Sequence, residues 1–192
     1  AAVAAMQNLP DFYTDKNGLH QPQGAIVAMN PHNGYIVAMV GGRGDDAFNR
    51  ATQAERQPGS AMKPFVYLAA IQSGKTPGSI VEDSPVSFGS WSPKNYENDY
   101  EGSMTYRYAL QHSRNVAAVK IADEVGMTKV IKLAKEMGIS TLTDQDYNLS
   151  TALGGLTHGV TPLEMVQAYG VLANGGIKVQ PTAILKIVDR NG

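Results

Sequence analysis

Residues 48–65 read FNRATQAERQPGSAMKPF. Within them Ser60-Ala61-Met62-Lys63 spells S-x-x-K. At a helix start, side chains three apart lie on nearly the same face, about 5–6 Å from one another. A serine hydroxyl is a weak nucleophile and needs a base. An amine can be that base only if its pKa falls from about 10.4 towards neutrality. Desolvation lowers it, and the positive end of a helix pushes the same way. The neighbours agree with that arrangement. Pro58-Gly59 makes a tight approach, and the apolar run Phe65-Val66-Tyr67-Leu68 can keep the amine dry. Pro64 has no N–H to donate, which holds the motif in the first helical turn. The run continues as a buried helix over residues 60–73, ended by Gly74.

Working outward, Gly24–Asn30 and Tyr35–Val40 are two apolar runs separated by Pro31-His32-Asn33-Gly34. Asn-Gly between such runs predicts a β-hairpin, and near-continuous apolarity predicts that both faces are covered. Residues 1–9 predict a short helix, 10–23 a connector, and 41–59 a polar, Gly-rich stretch without period. Residues 74–104 read as a long loop holding Trp91, Tyr96 and Tyr100. Helices are expected over 105–112, 116–125, 127–137 and 161–173. In the last, Thr161, Pro162 and Glu164 spell a capping box with proline at the first position. A final strand is expected over 182–188.

The 192 residues fit one ordinary domain. A net charge of −1 offers no electrostatic footprint for nucleic acid. No apolar run reaches membrane-spanning length. The absence of cysteine removes disulfides, thiolate zinc sites and cysteine nucleophiles. Gly42–Ala47 imitates a dinucleotide-binding loop, but Asp45 and Asp46 would repel a pyrophosphate. Asp144–Asn148 starts like a calcium loop, but Leu149 and Gly155 stand where glycine and a bidentate glutamate are needed. The four histidines have no metal-ligand spacing, so no metal and no cofactor are expected. His112 draws notice only because it adjoins Ser113.

Taken alone, S-x-x-K arises by chance about once in 200 residues. A second element is Ser113-Arg114-Asn115, an S-x-N between two helical stretches. A hydroxyl and a carboxamide two apart can project together from a short loop, or can simply cap helices. Together these stretches resemble a known family. Residues 48–65 look like the nucleophile region of class A (bifunctional) penicillin-binding proteins. The hairpin, the Trp91-Ser92-Pro93-Lys94-Asn95 segment, the S-x-N corner and residues 149–176 follow in that family's order.

The resemblance implies an α+β fold of the penicillin-binding/serine β-lactamase type, an antiparallel sheet with a helical subdomain. It implies a peptidoglycan D,D-transpeptidase. Ser60 would be the nucleophile towards a D-Ala-D-Ala stem peptide and Lys63 its base. Ser113 would pass a proton to the leaving amine, and Asn115 would bind the acyl chain's amide. Trp91 and Asn95 would border the cleft as substrate contacts, with loop packing as the alternative. Peptidoglycan stem peptides and β-lactams are the implied partners. The implied location is extracytoplasmic, with a membrane anchor in the full-length protein.

Two departures matter. Arg114 stands where class A β-lactamases have Asp, and no deacylating Glu is assignable, which favours a transpeptidase. No K-T-G or K-S-G triplet occurs; Lys75-Thr76 is followed by Pro77. In the family that triplet lines the cleft on a later strand and binds the substrate carboxylate. Residues 1–22 are therefore expected to be the end of an inter-domain connection. Residues 23–192 are expected to be the N-terminal part of the domain, lacking its C-terminal strands and impaired or poorly stable alone. The alternatives are a β-lactamase or β-lactam sensor on the same fold, or an inactive structural fragment.

Overall fold

The computed structural model describes residues 1–44 and 47–190. Asp45 and Asp46 of the dinucleotide-like pattern, and the closing Asn191-Gly192, lie outside the described residues. The chain divides into two compact units, one of residues 1–56, 137–140 and 160–192, the other of residues 57–136 and 141–159.

The first unit begins with α1 (Ala2–Gln7), which buries Met6. The expected connector contains a small antiparallel pair, β1 (Tyr13–Thr14) and β2 (His20–Gln21). Asp15 closes its turn by accepting from the backbone N–H groups of Asn17 and Leu19. The expected hairpin is β3 (Ile26–Met29) against β4 (Ile36–Val40), with Ile26 opposite Val40 and a bulge at Ala28/Met29. Gly34 supplies the positive φ its turn requires, at +76°. Covering is incomplete, because Val37 is 69% exposed. The polar stretch holds the short α2 (Arg50–Gln53), N-capped by the Asn49 side chain.

The second unit carries most of the buried core. A 3₁₀ turn over Gly59–Met62 leads into α3 (Lys63–Gln72), with Pro64 in its first turn as expected. The expected loop of residues 74–104 contains β5 (Ile80–Asp83), which pairs antiparallel with β6 (Gly102–Thr105). Four-residue strands that mix charged and small residues leave too weak an alternation to read in advance. α4 (Tyr106–Gln111) and α5 (Asn115–Val125) follow, broken at residues 112–114. α5 is buried on nearly every side and packs against α3. Its Ala117 and Ala118 lack the bulk to hold a neighbouring helix away. The amphipathic α6 (Met127–Met137) buries Val130, Ile131 and Ala134.

In the first unit, α7 (Pro162–Ala173) has the expected capping box. Thr161 Oγ1 accepts from Glu164 N at 3.2 Å, and the Glu164 carboxylate accepts from Thr161 N at 2.9 Å. α7 packs on β3, with Met29 against Gly170. The strand expected over 182–188 does not form. Thr182 alone makes a parallel bridge to Tyr35, and Ile184, Leu185 and Ile187 stand exposed. β-propensity needs a paired neighbour to act on, and among the described residues this segment has none past Thr182.

The calcium-like stretch anchors the second unit through its one buried residue, Asp146. Asp146 accepts from the N–H and hydroxyl of both Thr143 and Thr157. Burial opposes its charge, but those four bonds prevail and hold its pKa below the ordinary value. It thereby ties down both ends of residues 143–157. That segment includes the 3₁₀ turn Leu149–Leu153, which ends at Gly154 with φ +79°. A β-carbon at Gly154 would lie 2.3–2.5 Å from Gly59 backbone atoms. Gly154→Ala is therefore expected to cost about 2–4 kcal/mol, from a left-handed alanine plus a backbone clash. Urea denaturation measures it, and an unchanged midpoint would refute this close packing.

Candidate active site

All the site's components lie in the second unit. The approach to Ser60 is fixed from both sides. Gln57 Nε2 donates to Leu156 O at 2.7 Å, and Leu156 N donates to Gln57 Oε1 at 2.6 Å. Gly59 rests on Gly154. Ser60 then stands exposed on the 3₁₀ turn, while Lys63, the first residue of α3, is 1% exposed. Lys63 Nζ and Ser60 Oγ are 3.0 Å apart.

The S-x-N corner reaches the same amine. Lys63 Nζ lies 2.5 Å from Ser113 O, 2.9 Å from Ser113 Oγ and 2.6 Å from Asn115 Oδ1. Ser113 gets there by adopting φ +52°, between α4 and α5. That left-handed backbone costs a non-glycine residue about 1–2 kcal/mol. It turns both its carbonyl and its hydroxyl towards Lys63. Asn115 is held from its other end, since its Nδ2 donates to Lys94 O at 3.0 Å.

The proton arithmetic of this cluster is specific. Ser113 O and Asn115 Oδ1 can only accept, so each needs an N–H from Lys63. A neutral amine has two N–H groups, which these acceptors consume. Its lone pair is then free to take a proton from a hydroxyl, with Ser60 Oγ and Ser113 Oγ both in reach. Burial lowers the Lys63 pKa from 10.5 to about 8. At pH 7 about one molecule in ten carries the neutral amine.

Of the six residues expected from sequence, the structure brings Ser60, Lys63, Ser113 and Asn115 into direct contact. Asn95 lines the cavity beside Ser60 and is also tied into the fold. It is 5% exposed, and its side chain is spent internally. Asn95 Oδ1 accepts from Asn115 N at 2.9 Å and Val116 N at 3.1 Å, while its Nδ2 donates to Asp83 and to Asp99 O. It thus caps α5 from twenty residues away, where the local N-cap residue, Arg114, offers no side-chain acceptor. Trp91 packs on Phe88, with ring centroids 6.4 Å apart, and does not line the cavity beside Ser60. For Trp91 the observed contact is loop packing, while Asn95 combines internal bonds with a place on the cavity wall.

That cavity is about 400 Å³ and is lined by Ser60, Asn95, Tyr96, Glu97 and residues 112–115. No sequence pattern marks Tyr96, 94% exposed, or Glu97 as a site residue. Their position directly after Asn95 was the one available signal. His112 does reach the cavity wall, stacked on Tyr108 at 4.0 Å between centroids. Among the described residues no cluster of metal-ligating side chains occurs, and no helix is long and apolar enough to cross a membrane.

Comparisons with known proteins converge on one family. A family model, the penicillin binding protein transpeptidase domain, matches residues 24–191. Penicillin-binding protein 1A of Rickettsia typhi is 40% identical over 99% of the chain and 25% of its own length. That of Aquifex aeolicus is 43% identical over 88% of the chain and 24% of its own length. The chain thus spans about a quarter of the length of these curated relatives. Among solved structures, penicillin-binding protein 1A from Haemophilus influenzae superposes with a TM-score of 0.82 at 36% identity. It covers 94% of this chain and 28% of its own. PonA1 of Mycobacterium tuberculosis, in complex with penicillin V, gives 0.83 at 27% identity, covering 100% and 52%. The relatives agree with the class A resemblance of the motifs, and the mix of helices with small antiparallel sheets agrees with the α+β expectation. The chain belongs to the penicillin-binding-protein transpeptidase domain family.

Proposed function

We propose that the protein carrying this chain is a peptidoglycan D,D-transpeptidase that works through a Ser60 acyl-enzyme. The observation that supports it most is the dry Lys63 amine, with two N–H groups committed to carbonyl oxygens and a serine hydroxyl on its remaining side. In the first half-reaction Ser60 Oγ gives its proton to Lys63 Nζ and bonds to the carbonyl carbon of the penultimate D-alanine. The C–N bond to the terminal D-alanine breaks, and the departing amine takes a proton relayed by Ser113 Oγ. Asn115 and the cavity beside it hold the acyl chain. In the second, an amine of a neighbouring stem peptide attacks the ester. A new C–N bond forms, the bond to Ser60 Oγ breaks, and the proton returns to that oxygen. A β-lactam follows the first half only, since its opened ring leaves the amine tethered and blocks the acceptor. The substrate class places the protein outside the cytoplasm, on the face where peptidoglycan is built.

Two measurements bear on this. Labelling of the whole protein with a fluorescent penicillin is expected to be stoichiometric in wild type and absent in Ser60→Ala; label that survives the substitution excludes Ser60. The acylation rate constant is expected to rise about tenfold per pH unit below pH 8 and to level off above it. The sign follows from the base, because only unprotonated Lys63 can accept the Ser60 proton and its pKa lies at about 8. A rate that is flat from pH 6 to 8 would rule Lys63 out as that base.

A further inference from the structure

Asp83 ends β5 and is 0% exposed. The strand alternates, with Ile80 and Glu82 outward and Val81 and Asp83 inward, so the pleat sends a carboxylate into the core. A buried charge is costly unless it is paired and hydrogen-bonded. Here the pairing is dense. Asp83 Oδ2 accepts from Arg114 Nη2 at 2.6 Å, Arg114 Nε at 2.9 Å and Glu101 N at 3.2 Å, and Oδ1 accepts from Asn95 Nδ2 at 2.8 Å. Arg114 also pairs with Asp99 at 3.1 Å and Glu101 at 2.9 Å.

The partners of this carboxylate flank the lysine site. Arg114 is the residue between Ser113 and Asn115, and Asn95 caps α5 at Asn115 and Val116. One buried carboxylate therefore grips the S-x-N corner twice, through a side chain of the corner itself and through the cap of the helix behind it. Stability alone is a weak reason for such a pair, because apolar side chains of similar volume serve as well or better. The strained backbone of Ser113 supplies a stronger one. Unanchored, it would relax from φ +52°, carrying its carbonyl and hydroxyl away from Lys63 Nζ.

We propose that Asp83 is a positioning residue for acylation, acting through Arg114 and Asn95 to hold Ser113 and Asn115 against Lys63. The proposal rests on the acyl-transfer reading above and deepens it. A displacement of about 1 Å in such a site can cost about 100-fold in rate.

The test uses Asp83→Asn and the double variant Asp83→Leu/Arg114→Met in the intact protein. Stopped-flow acylation by a fluorescent penicillin separates the noncovalent dissociation constant from the acylation rate constant, and thermal melts follow the fold. The rate constant is expected to fall about 10- to 100-fold in both variants, with the dissociation constant changed less than about threefold. The double variant is expected to melt closer to wild type than Asp83→Leu alone, since it leaves no buried guanidinium without its carboxylate. A purely structural role predicts a lower melting temperature with a normal rate constant in the molecules that still label. Should the double variant not fold, Arg114→Lys keeps the buried charge but loses the two-pronged grip. Its rate constant is also expected to fall. A folded variant that acylates within about twofold of wild type overturns the proposal and leaves the Ser60 reading standing. Wild-type protein that takes no label at Ser60 sinks the acyl-transfer reading first.

Discussion

The site depends on one dehydrated amine. Lys63 is almost wholly buried at the head of α3, and four oxygens from three residues surround its nitrogen. An ammonium there is penalised by lost hydration, and a neutral amine can satisfy both carbonyls and still offer a lone pair. Nearly every local feature serves that placement. Pro64 keeps the lysine in the first turn, Gly154 lets the 3₁₀ turn press against the neighbouring backbone, and the Ser113 corner is bent to reach it.

The supports are layered by chain distance. Ser60 and Lys63 are three residues apart and meet because a helical turn brings them together. Ser113 and Asn115 arrive from fifty residues later, because α5 packs on α3 and begins at Asn115. Asn95 and Asp83 come from the β5–β6 region and act on that beginning. Charge is confined to the outer layer, where Arg114 neutralises Asp83. The amine's immediate partners are uncharged, which keeps desolvation as the dominant influence on its pKa.

What the sequence revealed follows the same layering. Local patterns were legible: the Asn33-Gly34 hairpin, the S-x-x-K turn, the Thr161–Glu164 capping box and the amphipathic α6. The S-x-N corner was legible only with the family resemblance beside it, since Ser and Asn at a helix break are ordinary caps. Asp83 gave no signal. Its strand is four residues long, and its partners lie 12 to 31 residues away, so no periodicity links them. Asn95 was legible as a cleft-border residue but not as the cap of α5, because that bond spans twenty residues of sequence. Residues 182–188 misled in the opposite direction: Ile, Leu and Val suit a strand, but pairing is a property of neighbours.

The most direct test is the titration of Lys63 itself. Isotope-labelled lysine, with the Lys63 signal assigned by Lys63→Arg, reports the side chain's protonation by NMR. A midpoint near pH 8 is expected, well below the ordinary 10.5. A midpoint at or above 10.5 would mean that the amine stays an ammonium throughout the working range, and the account of Ser60 activation would be contradicted.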